Sequence, residues 1–331
     1  MADEIELLSI GDASLDTFIA PSESDTSCKI DTKECLISFS YGAKIPVTSL
    51  DFSIGGNAAN NAVGASRLGI KTGIVLTVGD DNIGNQIVDH LEKEKVNTTF
   101  VKKEEGSASN YSVIVRYLGE RTIFTYHTPR NYEFPFNLPK TDWVYLTSMG
   151  ENFETFYKNV HDFLKENQDI KLAFNPGSWQ LKAGVDEMKD ILSITNVLFV
   201  NREEAEKLTG ISKRDSNQKD LLQGLVKLGV KTPIITDGQE GAFTWENSKF
   251  LKLGILDIPI IERTGAGDAF GSGCLAALIK GKSLDEALIW GMVNSSSVIS
   301  LVGSQKGLLH DSEIPSWLEK CKSNNIAVSV F

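Results

Sequence analysis

Short apolar segments alternate with amphipathic ones along most of this 331-residue chain. The alternation is clear in "WVYLTS" followed by "NFETFYKNVHDFLKENQ", and in "VLFVN" followed by "REEAEKLTG". The apolar segments have the length of buried strands, whereas the amphipathic ones repeat with the 3.6-residue period of a helix. Strands that are apolar throughout and are separated by helices are typical of a parallel sheet covered on both faces. The pattern therefore predicts an α/β fold.

The last third of the chain adds a hairpin and three helices to this prediction. "GAFTWENSKFLKL" has the alternation and the central turn residues of a short hairpin. Helical periodicity then predicts helices near 267–280, 283–300 and 312–323.

Two segments interrupt the strand–helix rhythm. Residues 12–54 are mixed and polar with several β-rich pieces, and residues 108–128 read as a hairpin that turns at "LGE". We expect both segments to leave the main body and to pair as a small β-sheet over one edge of the site. The chain would then divide into a large α/β domain, made of 1–11, 55–107 and 129–331, and a discontinuous β lid, made of 12–54 and 108–128.

Charge and composition narrow the class of protein. The net charge of −11 argues against general binding to nucleic acid or to an anionic membrane. The start of the chain, "MADEIELLSIGD", lacks the basic and apolar regions of a secretory signal, and no apolar run reaches the roughly 18 residues of a membrane span. No CxxC pair or zinc-type spacing occurs among the four cysteines, which suggests a reducing compartment. We therefore expect a cytoplasmic protein. The cysteines are Cys28, Cys35, Cys274 and Cys321.

A glycine-rich turn, "TGAG" at 264–267, precedes the helix predicted from 267 and is followed at once by Asp268. Such a turn presents unpaired backbone N–H groups and the positive end of the helix dipole to a ligand, and the natural ligand is an anion such as phosphate. A carboxylate there would repel a resting anion. It is useful if it takes a proton from a hydroxyl that attacks the anion, so the pair indicates phosphoryl transfer to an alcohol.

A structural alternative exists, in which the two glycines form a loop and Asp268 caps the helix. The sequence contains neither GxxxxGK[ST] nor a kinase-type GxGxxG, so a P-loop or protein-kinase site is excluded.

Four motifs make the chain resemble one family, the ribokinase-like (PfkB-type) sugar and nucleoside kinases. They occur in the family's order and at similar separations, and the resemblance covers nearly the whole chain. The motifs are "GGNAANNA" at 55–62, "NREEAEKLTG" at 201–210, "TDGQEG" at 236–241 and "RTGAGDAF" at 263–270.

The resemblance implies a three-layer α/β/α domain with a mostly parallel central sheet and a small β-sheet lid that closes over the acceptor. It also implies use of ATP with Mg²⁺. The expected function is transfer of the γ-phosphoryl group to a primary hydroxyl of a sugar or nucleoside. The alternatives are a nucleoside kinase or sugar-phosphate kinase on the same scaffold, and a non-catalytic sugar or nucleotide sensor. Homodimers that form through the lid occur in the family, so a homodimer is an open expectation.

The resemblance assigns roles on the acceptor side residue by residue. Asp268 would be the catalytic base, and the early aspartate that binds sugar hydroxyls falls on Asp16 in "GDASLD". Ribokinases usually have lysine where this chain has Asn57, which weakens a direct assignment to ribose. The anion hole would be Gly265, Ala266 and Gly267, and Gly55, Gly56 and Asn60 would contact the acceptor.

On the nucleotide side, the family's N-x-x-E motif falls on Asn201 and Glu204, which would organise Mg²⁺ largely through water. The alternative is that Glu204 belongs only to the charged face of its helix. Thr236, Gly238 and Gly241 would line the nucleotide, and Asn294 is a candidate for the edge of the adenine, with a structural role equally open.

Two positions depart from the family pattern D-T-x-G-A-G-D. Glu262 and Arg263 replace its first two residues, and the first aspartate helps to form a monovalent-cation loop in many members. One interpretation is that Arg263 supplies fixed positive charge near the turn, which makes activity depend little on K⁺. The other is that Glu262 still coordinates the ion and Arg263 faces water.

Three arginines in or beside the expected lid have two interpretations. They could hold a phosphate already present on the acceptor, or they could be solvated surface charges, which is the commoner role. They are Arg116, Arg121 and Arg130.

Overall fold

A computed structural model of the chain describes residues 4–22, 27–29, 36–117, 120–212 and 217–331. The strands and helices follow the predicted alternation. In chain order they are β1 (Leu7–Ile10), β2 (Ser14–Pro21), β3 (Ser27–Lys29), β4 (Leu36–Ser38), β5 (Val47–Gly55), α1 (Asn57–Arg67), β6 (Thr72–Gly79), α2 (Asn82–Lys93), β7 (Asn97–Glu104), β8 (Tyr111–Tyr117), β9 (Glu120–Tyr126), β10 (Trp143–Leu146), α3 (Glu154–Glu166), β11 (Lys171–Phe174), α4 (Ser178–Ala183), α5 (Lys189–Ile194), β12 (Val197–Asn201), α6 (Arg202–Thr209), α7 (Gln218–Lys227), β13 (Thr232–Thr236), β14 (Ala242–Glu246), β15 (Lys249–Leu253), α8 (Ala266–Ile279), α9 (Leu284–Ile299), α10 (Ile314–Ser323) and β16 (Val328–Val330).

The large sheet has ten strands in the order β16-β15-β14-β13-β12-β11-β10-β1-β6-β7. From β13 to β7 all neighbours are parallel, and the three strands β14, β15 and β16 form an antiparallel edge. The predicted mostly parallel sheet is thus confirmed.

Successive residues of each parallel strand are buried on opposite faces of the sheet. Leu7 belongs to the core beneath α8, α9 and α10, whereas the adjacent Leu8 belongs to the core beneath α3, α5, α6 and α7. Because both faces are covered, the strands carry no polar face, which explains their continuous apolar sequence. The result is the three-layer α/β/α arrangement that the resemblance implied.

A separate four-stranded sheet, here called the lid sheet, has the order β5-β2-β8-β9. Its strand β2 follows β1 after three residues, and β5 leads directly into α1. Along β2, Asp16 pairs with Ser53 on β5 and with Ser112 on β8, so these side chains share one face of the sheet. The two predicted β-rich segments therefore do form one small sheet beside the large one.

Details of the interrupting segments differ from the expectation. The piece "CLISFS" does not join the lid sheet, because β4 pairs with β3 in a two-stranded sheet of its own. The residues "LG" of the expected turn, at 118–119, lie outside the described residues. The prediction also lacked β7, β16, α4 and α7, of which β16 has only three residues and β7 is half polar.

Two of the cysteines, Cys274 and Cys321, are buried free thiols, while the side chains of Cys28 and Cys35 lie outside the described residues. In the part of the chain that the structure describes, no helix is both long and apolar enough to cross a membrane.

Candidate active site

The chain enters α8 through a left-handed glycine. Gly265 has φ of 79°, and a Cβ at this position would lie 2.6 Å from the Cβ of Ser304, so both the backbone and the close approach require glycine. A Cβ on Gly267 would meet no described atom within 4 Å, which shows open space above the helix. The first-turn N–H groups have no partner within the helix, so this open space is a suitable site for an anion.

Close packing of α1 against α8 brings the first candidate pair together. A Cβ on Gly64 of α1 would overlap Ser272 of α8, so the glycine allows the two helices to approach closely. As a result, Asn60 Nδ2 donates a hydrogen bond to Asp268 Oδ2 at 2.8 Å. The two residues are 208 positions apart in the sequence.

The amide of Asn60 is held in one orientation by residues that the sequence analysis did not identify. Its Oδ1 accepts hydrogen bonds from Gln305 Nε2 at 2.9 Å and from Ser304 Oγ at 3.1 Å. Because a carbonyl oxygen accepts from both donors, the NH₂ group must face Asp268. Ser304 and Gln305 follow α9 in an irregular segment with no motif that could have identified them.

The surroundings of Asp268 favour a carboxyl group that can accept a proton. Burial raises its pKa from 3.8 to about 6, the hydrogen bond from Asn60 opposes that rise, and repulsion by Asp16 adds to it. A base with a pKa just below neutral pH is mostly ionised there and binds a proton more strongly than an ordinary aspartate.

The acceptor side of the site is formed by the start of the lid sheet. Asp16 is only 6% exposed, and its Oδ1 accepts a hydrogen bond from Ser14 Oγ at 2.8 Å. Burial raises its pKa. Gly55 packs against the Asp16 carboxyl so closely that a Cβ would overlap it, and a Cβ on Gly56 would lie 2.6 Å from Asp12 O. The structure thus brings Asp16, Gly55 and Gly56 together, with Asp16 close enough to Asp268 to repel it.

A cavity of about 280 Å³ opens on the other side of the α8 N-terminus. All three residues of the predicted nucleotide-binding set from the "TDGQEG" segment line it: Thr236, Gly238 and Gly241. Ala266 and Gly267 lie at its floor, so it reaches the glycine turn. Much of the remaining wall is apolar, as the flat face of a purine requires, and the sequence analysis did not identify these residues. They include Ile255, Leu256, Ile258, Met292 and Ile299.

Asn201 and Glu204 form a capping box at the start of α6. Asn201 Oδ1 accepts from Glu204 N, and Glu204 Oε2 accepts from Asn201 N, each at 2.9 Å. Burial raises the pKa of Glu204, and the negative charge of Asp268 raises it further. Glu204 therefore has a structural role and also lies within electrostatic range of Asp268.

The side chain of Asn294 does not line the cavity, so its assignment to the adenine edge stays a prediction. Its side chain is fully buried between α8 and α9, where Nδ2 donates to Ala269 O at 2.8 Å and Oδ1 accepts from Leu309 N at 2.8 Å. Its hydrogen bonds are used to join these helices. The α9 residues that do line the cavity include Met292, Ser295 and Ser296.

All three arginines have protein partners. Arg130 is 2% exposed and donates a hydrogen bond to Glu104 Oε2 at 2.8 Å, so it is not a solvated surface charge. Arg116 donates to Ser49 Oγ at 2.8 Å and lies 3.7 Å from Asp51 Oδ2.

Glu262 and Arg263, the two residues that depart from the family motif, point to different environments in the structure. Arg263 is exposed and lines the nucleotide cavity, whereas Glu262 is 4% exposed and turns inward. The guanidinium beside Glu262 belongs to Arg121 of the lid sheet, whose Nε lies 3.7 Å from Glu262 Oε1. Glu262 thus has an ion-pair contact with Arg121, whereas Arg263 lies at the cavity that also contains the turn residues Ala266 and Gly267.

Asp12 is a further buried acid that the sequence analysis left unassigned, although it ends the first strand in "IGD". The hydroxyl of Tyr132 lies 3.2 and 3.3 Å from its two carboxyl oxygens and accepts a hydrogen bond from Gly150 N. Burial raises the pKa of Asp12 to about 7. The group ties the end of β1 to the loop after β10 beside the acceptor side of the site.

Known proteins resemble this chain in both sequence and fold. The model of the pfkB family carbohydrate kinases matches residues 25–311. An uncharacterized sugar kinase of Archaeoglobus fulgidus is 28% identical over 256 residues, which cover 74% of this chain and 98% of the relative. A nucleoside kinase of Methanocaldococcus jannaschii is 25% identical over 271 residues, covering 80% of this chain and 85% of the relative.

The fold is also found among solved structures. A putative ribokinase II from E. coli, in complex with ATP and Mg²⁺, superposes with a TM-score of 0.75 at 17% identity. The match covers 96% of this chain and 99% of the other. The similarity therefore extends over the large sheet and the lid sheet together.

Proposed function

This chain belongs to the PfkB family of carbohydrate kinases, and from that premise we propose that it transfers the γ-phosphoryl group of ATP to a hydroxyl of a sugar or nucleoside. The observation that carries the proposal is the position of Asp268. Its carboxyl stands at the N-terminus of α8, within repelling distance of Asp16 on the acceptor side, while the preceding residue, Gly267, lines the cavity on the nucleotide side.

In the proposed reaction, Asp268 accepts the proton of the acceptor hydroxyl as its oxygen attacks the γ-phosphorus. The bond from that phosphorus to the β–γ bridging oxygen breaks, and ADP leaves with the electron pair. The anion-hole turn predicted at Gly265, Ala266 and Gly267 stabilises the negative charge on the phosphoryl oxygens through backbone N–H groups such as that of Gly267. Asn60 holds the Asp268 carboxyl in place at 2.8 Å.

The residues present fit an ATP-bound Mg²⁺ ion. Among the residues that the structure describes, no three His, Cys, Asp or Glu side chains form a metal site by themselves. This agrees with an ion held mainly by phosphates and water. Glu204 would hold it through water. Burial raises the pKa of Glu204 and the negative charge of Asp268 adds to the rise, and a nearby cation would favour the ionised carboxylate. When bound, Mg²⁺ supplies positive charge that neutralises the phosphates.

Charge at the acceptor side favours an uncharged alcohol over a sugar phosphate. Asp16, Glu262 and Asp268 interact there, since Glu262 raises the pKa of Asp16 and Asp16 raises that of Asp268. The arginines that could bind a phosphate, Arg116 and Arg121, lie beside carboxylates of their own. A carboxylate such as Asp16 accepts two hydroxyl hydrogens, which suits a neutral diol.

The proposal is tested by measuring ADP release from ATP with a panel of sugars, nucleosides and sugar phosphates. We expect acceptor-dependent ADP release with a neutral sugar or nucleoside and none with phosphorylated acceptors. Loss of this activity in Asp268→Asn is compared with Asp285→Asn, the matched control, which changes an acidic side chain at the exposed first turn of α9. Compounds that raise the melting temperature but support no ADP release would instead identify a sensor.

We also propose a homodimer through the outer face of the lid sheet. Four large apolar side chains there are more than half exposed: Leu50 (55%), Phe52 (58%), Phe124 (60%) and Tyr126 (54%). They lie on the face opposite Asp16, on the two edge strands of the lid sheet, and exposed large apolar side chains grouped on one face are typical of an interface. Light scattering should give twice the chain mass for the wild type and a single mass for a Phe52→Ser/Phe124→Ser variant. A monomeric wild type contradicts the proposal.

A further inference from the structure

Glu262 connects the anion-hole turn to the lid sheet. Its Oε1 accepts hydrogen bonds from Thr264 N at 2.8 Å and from Thr264 Oγ1 at 2.5 Å. The backbone N–H groups of Ile261 and Glu262 both donate to Ile299 O, so the segment is anchored to the end of α9. The position of the Glu262 carboxylate therefore fixes Thr264, the residue immediately before Gly265.

The contact between Glu262 and Arg121 is incomplete on both sides. Arg121 Nε and Glu262 Oε2 are both buried, and neither has a hydrogen-bond partner among the described residues. Nε lies 3.7 Å from Glu262 Oε1, which is within ion-pair range but beyond a hydrogen bond. Buried polar groups without a partner are rare in folded proteins. A shift of about 1 Å would bring Arg121 Nε within hydrogen-bond distance of the Glu262 carboxylate, as a charge-assisted bond.

Arg121 belongs to the lid sheet, whereas Glu262 does not. Arg121 pairs with Arg116 across β8 and β9, four residue pairs along from Ser112 and Thr125. Because side chains alternate between faces and Ser112 pairs with Asp16, Arg121 projects from the face that carries Asp16. Glu262 belongs to the large α/β body. The contact therefore spans the two parts of the molecule between which an acceptor would bind.

The contact between Arg121 and Glu262 also affects the carboxylates of the site. Glu262 and Asp16 repel each other, and so do Asp16 and Asp268. A guanidinium at Glu262 reduces the negative charge at one end of this row of carboxylates. Since Glu262 also holds Thr264, a change at Arg121 reaches the turn that contains the anion hole.

We propose that Arg121 is a positioning residue that couples acceptor binding at the lid sheet to assembly of the anion hole. When the lid sheet closes on an acceptor, the Arg121 guanidinium hydrogen-bonds Glu262, and Glu262 then holds Thr264 and the glycine turn in the geometry that receives the γ-phosphoryl group. The coupling limits phosphoryl transfer to the closed, acceptor-bound state. This inference rests on the kinase function proposed above.

The test is steady-state kinetics of Arg121→Gln with the acceptor identified by the panel. We expect kcat to fall about 10-fold, because the anion hole is no longer held in its reactive geometry. Affinity for the acceptor should fall as well, by about 2- to 5-fold, because the lost contact forms in the acceptor-bound state. The dissociation constant of an ATP analogue measured without acceptor should change less than about 2-fold. Arg116→Gln is the matched control, since it removes a guanidinium from the same face whose partner Asp51 lies in the lid sheet itself. It should keep kcat within about 2-fold of the wild type. Arg121→Lys should recover part of the lost kcat.

A second variant separates coupling from misfolding. Glu262→Gln should lower kcat, and adding Arg121→Gln to it should cause no further loss, because both changes break the same contact. Equal losses in Arg121→Gln and Arg116→Gln, or a change confined to the acceptor KM, would overturn the proposal.

A monovalent ion is the competing partner for the free oxygen of Glu262. Titration of KCl from zero at constant ionic strength should leave the wild type nearly unchanged and should partly restore Arg121→Gln. Strong K⁺ activation of the wild type, equal in Arg121→Gln, would assign that oxygen to the ion and overturn the role of Arg121. If Asp268→Asn abolishes turnover while Arg121→Gln is normal, only this inference fails. A wild type without kinase activity overturns both proposals.

Discussion

Asp268→Asn should lower kcat by about 100-fold or more, because the amide keeps the size and the hydrogen bonding of the carboxyl but cannot accept the proton of the acceptor. Nucleotide affinity should change little, since the cavity residues and the glycine turn are retained. Kinetics of ADP release together with calorimetry of ATP-analogue binding measure the two effects separately. A purified variant with nearly normal turnover would remove Asp268 from the mechanism.

The pH dependence of the wild type provides an independent check of the same assignment. The pKa of Asp268 is raised to about 6, and only the ionised carboxylate acts as a base. We therefore expect kcat/KM to rise with pH through about 6 and then to level off, whereas the residual activity of Asp268→Asn should show no such rise.

The raised pKa also predicts the stability of that variant. A carboxyl with a folded pKa above its unfolded value binds more protons in the folded state between those two values, so the free energy of unfolding falls as pH rises through this window. In Asp268→Asn the free energy of unfolding is not lowered by ionisation at this position. The melting temperature of the variant should therefore be at least that of the wild type at pH above 7. A lower melting temperature there would indicate that lost turnover reflects structural damage.

Asp16→Ala should act on the acceptor and not on ATP. Loss of the hydroxyl contacts should lower kcat/KM for the acceptor. The corresponding loss of transition-state stabilisation should be about 1.5–3 kcal/mol, which is the range for hydrogen bonds to a charged group. Asp16 is nearly buried beside Gly55 on the acceptor side, away from the nucleotide cavity, so the KM for ATP should stay within about 2-fold.

Thr17→Val is the matched control for Asp16→Ala. Thr17 is the next residue of β2, faces the opposite side of the lid sheet and bonds the hydroxyl of Tyr111 at 2.6 Å. Its replacement should leave kcat/KM nearly unchanged. If Asp16→Ala changed only the ATP dependence, Asp16 would belong to the nucleotide side.

Several assignments could not be made from the sequence, because the direction in which a side chain points from a buried helix depends on how that helix packs. Both α8 and α9 are buried on nearly all sides, so their sequences have no polar face that shows where each side chain points. From the sequence Asn294 could therefore be placed at the adenine or in the core, and in the structure its side chain is buried between α8 and α9. Likewise the N-x-x-E motif is compatible with a magnesium site and with a capping box, and Asn201 and Glu204 do form the cap.

The sequence by itself determined the features that follow from local rules. Continuous apolar strands separated by amphipathic helices specify a covered parallel sheet, and the glycine turn before Asp268 specifies a helix N-terminus open to an anion. Tertiary structure alone decided which residues meet across the site. Asn60 donates a hydrogen bond to Asp268, which is 208 positions away in the sequence. Gln305, which holds the Asn60 amide, is 245 positions from it. Arg121 reaches Glu262 only because β9 joins the lid sheet. Such contacts depend on how sheets and helices pack, and no local pattern records the packing partner.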